Sequence, residues 1–396
     1  MDKRKFLKVS TSLVAGSLIP RVAGAGGYSE SPATLSGKIN PIVRSLGKTG
    51  IELPIISSGI IPQNLPPLIR KLFESGIRHF DSAWDYQNGR NDLMLRDMLC
   101  EFGRENFIIS TKVLLPFDEI TGQYKQEATK SAFMEQLEVT MKRLDVDYVD
   151  MLYLHKPPTR AAALNNEILA GLEKARQQGK ARFLGISCHS NQVELINTAI
   201  ESKLYEVMLV GYNFRQDHIV KPALKKANEA GLGIVAMKVF AGEYQDKERN
   251  KPITKTAALK WVLQDENVHT AILTFRTYED YNMFMPMMHN IEMSSQERQD
   301  LAEAYQSPGL YCLGCECCRK QCRNCLPIPD LMRAYMYAYG YKDAAEGQKV
   351  IRKLRIQDQP CTGCEVCEVK CTQGFNIPEK ITDIIRLKNI PGEFLS

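Results

Sequence analysis

YVDMLYLHKPPTRAAALNNEILAGLEKARQQGKARFLGIS (148–187) reads as strand, helix, strand. YVDMLYLH is nearly continuous in apolar character, as expected of a strand buried on both faces. Asn165–Gln178 then carries apolar residues at helical spacing, and ARFLGIS returns to a short apolar run. The same alternation extends in both directions. The candidate strands are IISSG (55–59), RHFDSA (78–83), FIISTKV (107–113), YVDMLYLH, ARFLGIS, VMLVGYN (207–213), GIVAMKV (233–239) and HTAILTF (269–275). Helical-period stretches such as Ser131–Leu144 and Ile219–Ala230 lie between them. Eight β–α units in roughly 265 residues fit an α/β fold of the (β/α)8 TIM-barrel type, from 41 to 306. The competitor is an open doubly wound sheet, but no G-x-G-x-x-G follows the first strand.

In such a barrel, polar residues at strand C-termini mark the catalytic face. Asp81 ends the second run, Lys112 falls near the end of the third, His155 ends the fourth, and Tyr86 sits in the loop after Asp81. An apolar strand that ends in Lys or His is costly unless the group is paired or lies at a mouth. Together the four suit carbonyl reduction. A carbonyl oxygen accepting hydride needs a proton donor, and a free phenol, of pKa about 10, is a poor one. An ammonium beside it stabilises the phenolate, and a carboxylate holds the ammonium. A neutral imidazole orients the oxygen. Tyr86 is therefore the expected acid/base, Lys112 its tuner, Asp81 the partner of the lysine and His155 the orienting group.

Eight of the twelve cysteines form one array written twice: Cys312, Cys315, Cys318, Cys322 and Cys361, Cys364, Cys367, Cys371. Both read C-x2-C-x2-C-x3-C, with Pro329 and Pro378 at matching offsets. Structural zinc has no use for this spacing, and a disulfide framework suits short chains without a core. Two [4Fe–4S] clusters are expected, the fourth cysteine of each array ligating the other cluster. Cys317 and Cys325 crowd the first array and remain alternative ligands. Helical spacing from Pro329 to Leu354 points to a mostly α-helical ferredoxin-like domain over 307–396. Tyr335, Tyr337, Tyr339 and Tyr341 either shield a cluster or pack onto the barrel.

A net charge of +5 on 396 residues, with no basic stripe, gives no support for nucleic-acid binding. Residues 1–25 read as a twin-arginine-like signal. Lys3-Arg4-Lys5-Phe6-Leu7-Lys8 precedes a mildly apolar run too short to span a bilayer, and Arg21 follows it. Residues 26–40, rich in Gly, Ser and Pro, read as a linker. The expectation is an exported, periplasmic protein that is not integral to the membrane. A cluster protein folds before export, which is what the twin-arginine route carries.

The chain also resembles the aldo/keto reductase family. The resemblance rests on RSLGKTGIELPIISSG (44–59), FDSAWDY (80–86), STK (110–112), YLH (153–155), GKARFLGIS (179–187) and LVGYNF (209–214). It covers roughly 41–288, and a subgroup with a twin-arginine-type signal and a C-terminal two-cluster domain is similar to the remainder. The resemblance implies an NADP- or NAD-linked oxidoreductase acting on a small carbonyl or alcohol, a sugar among the candidates. It would place Ser187 on the nicotinamide carboxamide, Tyr212 stacked on the ring, and Lys238 among the phosphate contacts. Arg276 and Thr277 would grip the 2′-phosphate. Cys188, Leu209 and Ile272-Leu273-Thr274 depart from the family pattern. The rival reading is an electron-transfer iron–sulfur module with a non-catalytic, partner-binding barrel and a redox partner protein.

Overall fold

The computed structural model describes residues 40–60, 65–118, 121–241, 254–306, 312–340 and 343–395. The signal-like segment, all but the last residue of the linker, and Tyr341 lie outside them. A short antiparallel hairpin, β1 (Val43–Ser45) and β2 (Glu52–Pro54), precedes eight parallel strands. These are β3 (Ile56–Gly59), β4 (His79–Asp81), β5 (Ile108–Val113), β6 (Val149–His155), β7 (Ala181–Cys188), β8 (Val207–Gly211), β9 (Gly233–Met237) and β10 (Thr270–Leu273). They hydrogen-bond in chain order, and β10 pairs with β3 to close the barrel. All eight apolar runs of the sequence supply a strand.

Side chains alternate along each strand, so one strand feeds two cores. Met151, Tyr153, Val207, Leu209 and Val235 fill the barrel interior, joined by Leu46, Ile51 and Leu53 of the hairpin. The hairpin thus plugs the N-terminal end. Its turn needs glycine at 47: φ is +54° and a Cβ there would lie 2.5 Å from the Gly231 carbonyl oxygen. The intervening residues, among them Leu152, Leu154, Leu184, Ile186, Met208 and Val210, face outward into the layer beneath the helices. Helix Asn166–Gln177 shows the match. Asn165 Oδ1 caps it by accepting from the Glu167 and Ile168 amides, and Ile168, Gly171, Leu172 and Ala175 form its buried stripe.

Beyond the barrel, helices Ile328–Tyr335, Ala344–Leu354 and Ile377–Ile385 enclose a separate core built on Leu331, Ile351, Ile381 and Ile384. Cys312, Cys318, Cys322, Cys361 and Cys371 pack against it. The helical stretch expected from Pro329 to Leu354 is broken. Met336–Gly340 winds as a π-helix, a rare form concentrated at functional sites. The cysteine-bearing chain seats on the C-terminal end of the barrel, where the Asn191 amide donates to the Gly314 carbonyl at 3.1 Å. Among the described residues no helix is long and apolar enough to cross a membrane.

Candidate active site

Strand alternation points Asp81, Lys112, His155 and Ser187 inward at the C-terminal mouth. Asp81 and Lys112 stand on adjacent strands, and their side chains form an ion pair only 5% and 1% exposed. Ser110 Oγ donates to Asp81 at 2.5 Å, and Lys112 Nζ also donates to the Ser82 carbonyl at 2.7 Å. Tyr86 opens a 3-10 turn in which Gln87, Asn88 and Gly89 all have positive φ. Left-handed residues in sequence are strained, and such strain gathers at functional sites. The turn brings the Tyr86 ring to 4.6 Å from Lys112 Nζ and 6.1 Å from the His155 ring. The four residues expected from the sequence are therefore together.

Their electrostatics differ from expectation in one respect. Burial, with the Asp81 and Asp85 carboxylates and Tyr337, holds the Tyr86 phenol well above its ordinary value. The Lys112 ammonium faces the ring of Tyr86, and burial pulls its own pKa down against the opposing pull of Asp81. Before substrate arrives, the site holds Tyr86 in its acid form. His155 matches expectation. Burial, then Lys156, Lys112, Lys238 and Arg333, push it well below its ordinary value, so the ring is neutral at pH 7. Neither of its ring nitrogens makes a hydrogen bond; Asp85 Oδ1 stands 3.7 Å from Nδ1. Ser187 Oγ is buried without a partner as well. Unmet polar atoms in a buried mouth cost about 1–3 kcal/mol each unless a ligand meets them.

The residues assigned to the dinucleotide divide. Ser187 fits a carboxamide contact. Tyr212 does not stack at the mouth: it lies one residue past β8, out of phase with the inward Leu209, and belongs to the outer core. Its hydroxyl donates to Asp265 at 2.7 Å and its ring meets Trp261. Met237, the inward residue ending β9, borders the mouth on that side. Lys238 has φ of +58°, and its Nζ lies 3.5 Å from His189 Nδ1, turned into the mouth. Arg276 and Thr277 stand exposed on the rim after β10, where Thr277 Oγ1 caps helix Tyr278–Phe284 by accepting from Asp280 N. A phosphate site in this fold forms at just such a loop and short helix start. Cys188 faces outward and Leu209 lies on the inner floor, so neither is placed to contact a carboxamide.

Further residues reach the mouth. His189, which the sequence leaves open between facing the site and ordinary solvation, stacks edge-on against His155 with ring centroids 5.3 Å apart. Lys156 follows His155 directly in a left-handed conformation, φ +57°. Arg333, from helix Ile328–Tyr335, lies within electrostatic reach of His155, and Tyr337, from the π-helix, within reach of Tyr86. The cysteine-bearing region is a roof over the barrel mouth. Lys156 had a usable signal, a cation abutting a strand-end histidine. Tyr337 is one of the tyrosines expected to shield a cluster or pack onto the barrel, whereas Arg333 had no signal, because only tertiary docking brings it there.

With this geometry, comparison with known proteins is decisive. The sequence profile of the Aldo/keto reductase family matches residues 58–257. The chain belongs to that family. Among its relatives is the L-glyceraldehyde 3-phosphate reductase of Escherichia coli K12, 31% identical over 164 residues, covering 37% of this chain and 45% of the relative. Another is the L-galactose dehydrogenase of Arabidopsis thaliana, 28% identical over 160 residues, covering 37% and 48%. The chain thus matches about half the length of each of these curated relatives. The holo form of an aldo-keto reductase from Bacillus halodurans shares the fold, with a TM-score of 0.54 at 19% identity over 67% of this chain and 96% of that one.

In this aldo/keto reductase the cysteines fall into two groups that cross the arrays. Cys312 and Cys318 lie within electrostatic reach of Cys315 and of Cys371. Cys361 lies within reach of Cys364, Cys367 and Cys322. Each trio is thus completed by the last cysteine of the other array. A small cavity between Cys312, Cys315, Cys318 and Cys371 lies at the first group. Among the described residues no three His, Cys, Asp or Glu side chains close round a single metal ion. The all-thiol donor set in this grouping is the chemistry that an iron–sulfur cluster would take. Cys317 lies beside Cys315, Sγ donating to its carbonyl at 3.6 Å, and stays a possible substitute; Cys325 is exposed at φ +49°.

Proposed function

We propose that this protein is an oxidoreductase that transfers hydride between a nicotinamide cofactor, NADP or NAD, and a small carbonyl or alcohol. The observation that carries the reading is the buried Asp81–Lys112 pair beneath Tyr86 and a neutral His155. Ser187 would hold the carboxamide, with Lys238, Arg276 and Thr277 near the phosphates. The nicotinamide, when bound, supplies or accepts the hydride. His155 orients the carbonyl oxygen by a hydrogen bond, and Tyr86 gives that oxygen its proton as negative charge develops. The ammonium of Lys112 stabilises the phenolate left behind, and Asp81 keeps Lys112 charged and in place. In alcohol oxidation the proton moves the other way. The two relatives, named for a triose phosphate reductase and a galactose dehydrogenase, support sugars as a substrate class.

The same reading includes two [4Fe–4S] clusters in a ferredoxin-like C-terminal domain. The crossed grouping of the thiols supports it, with Cys312, Cys315, Cys318 and Cys371 as one ligand set and Cys361, Cys364, Cys367 and Cys322 as the other. These cysteines would hold the clusters, which when bound would supply one-electron chemistry toward a redox partner protein or brace the roof. Export by the twin-arginine route rests on residues 2–21 of the sequence; full-length protein confined to the cytosol would contradict it.

The test is NADPH and NADH titration of the anaerobically purified protein, followed by turnover on a panel of aldehydes, ketones and sugars. Micromolar binding of one nucleotide, with consumption of at least one substrate class, is expected. A barrel that binds neither nucleotide would favour the electron-transfer module.

A further inference from the structure

A cavity of about 680 Å³ opens between the barrel loops and the roof, bordered by Lys156 and His189 below and Arg319 and Arg333 above. Its upper wall is built. Asp330, 4% exposed, pairs with Arg333 Nη2 at 3.0 Å and with Arg319 Nη2 at 3.4 Å, fixing both guanidinium groups on the cavity wall. Its lower wall starts at Lys156, the residue immediately after His155, whose left-handed backbone would be strained anywhere and is kept here. Around His155 and His189 stand four cations, Lys112, Lys156, Lys238 and Arg333, with Asp81 and Asp85 beside them, while the cavity wall carries Asp330, Glu194 and Glu316, the last paired with Arg319 at 2.5 Å. Burial, and after it Arg333 and Lys156, bring Lys238 down to about 7.

Arg276 and Thr277 follow β10, on the side suited to the phosphates of a dinucleotide, and Lys238 after β9 reaches in to His189. Lys156 follows β6 and Arg333 descends from the roof, on the side of the cavity. We propose that Lys156 and Arg333 form a pair that binds the anionic end of the substrate, so that the preferred substrate is a small carbonyl compound bearing a phosphate or a carboxylate. The inference rests on the carbonyl-reductase reading and names its substrate class. A planar guanidinium fixed by a buried carboxylate is suited to two-point binding of either oxyanion, with the lysine as a second point charge. The aldehyde would lie toward His155 and Tyr86. The roof is then part of the substrate site, and an active enzyme needs it folded.

The experiment compares matched aldehydes with full-length, cluster-loaded enzyme: glyceraldehyde, glyceraldehyde 3-phosphate, and succinic semialdehyde as the carboxylate arm. Wild-type kcat/KM should favour one or both anionic aldehydes by at least tenfold. Arg333→Met should lower kcat/KM for the anionic aldehydes about 10–100-fold through KM, as loss of a charge-assisted contact does, a loss at least tenfold larger than any on glyceraldehyde. Arg333→Lys should recover part of the loss, and its iron content should match wild type, which separates recognition from misfolding. The relative loss on phosphate and carboxylate identifies which anion the pair takes. Calorimetric titration with glycerol 3-phosphate gives a readout without turnover: binding weakened about tenfold by Lys156→Met supports the pair. Three results overturn it: no preference for anionic aldehydes, equal losses on neutral and anionic aldehydes, or weakened NADPH binding with unchanged discrimination. An enzyme that turns over neutral aldehydes but shows any of these refutes the substrate class and leaves the reductase reading standing. If no aldehyde reacts but glycerol 3-phosphate binds in a Lys156- and Arg333-dependent manner, the reductase reading fails and the anion site survives.

Discussion

Replacing Lys112 with methionine separates the energetic from the chemical role of the buried pair. The Lys112 and Asp81 side chains are 1% and 5% exposed, so neither charge is screened by solvent. Removing the lysine leaves the Asp81 carboxylate with Ser110 Oγ but without its cation. An uncompensated buried charge of this kind typically destabilises by about 3–5 kcal/mol. Asp81→Leu should do comparable harm from the other side, leaving the ammonium with the Ser82 carbonyl. The double variant Lys112→Met/Asp81→Leu removes both charges. Buried pairs exchanged for apolar residues of similar volume are often neutral or better, so it should lie within about 2 kcal/mol of wild type. Urea unfolding followed by tryptophan fluorescence supplies the cycle. Turnover should be lost in all three variants, including the one whose stability returns. Single variants that each cost under about 1 kcal/mol, or a double variant whose loss equals their sum, would refute the picture of a desolvated, mutually dependent pair.

Cys371→Ser should disturb the cluster assigned to Cys312, Cys315 and Cys318 and spare the one assigned to its sequence neighbours. Iron should fall from about eight per chain toward four, with one electron paramagnetic resonance signal retained; loss of the other signal would break the crossed assignment. His79 is buried between Ser57 Oγ at 3.1 Å and Ser110 Oγ at 2.8 Å, and burial pushes its pKa to about 3. It is neutral in the fold and titrates near 6.5 when unfolded, so its stabilisation is complete above pH 6.5 and is lost as pH falls toward 3. The loss is about 1.4 kcal/mol per pH unit. His79→Gln should therefore flatten the decline in unfolding free energy between pH 6.5 and 5 by about 2 kcal/mol; an unchanged slope would show that His79 is not held neutral.

The strands were legible because burial on both faces leaves runs such as YVDMLYLH almost without polar residues, and helix Asn166–Gln177 because Asn165 and a regular apolar stripe announce it. Asp81, Lys112 and His155 were legible as a set because charged residues near the ends of such strands need a mouth to face. The motif around Tyr212 carries no strand phase: the inward side of β8 is set by Val207 and Leu209, and position 212 falls on the other side. The break at Met336–Gly340 left no trace in a sequence with good helical spacing, and of the roof only the tyrosine run hinted at packing onto the barrel. Arg333 lies far along the chain from His155, and no local pattern encodes a docking surface between the barrel and the cysteine-bearing helices.

Tyr86→Phe tests the central claim most directly. Phenylalanine keeps the ring over Lys112 and beside His155 while deleting the proton donor. Single-turnover NADPH oxidation, on the best substrate from the panel, should slow by about 10²–10⁴-fold, with nucleotide affinity nearly unchanged. A Tyr86→Phe enzyme that oxidises NADPH at the wild-type rate on that substrate would contradict the assignment of Tyr86 as the acid, and with it the account of the site.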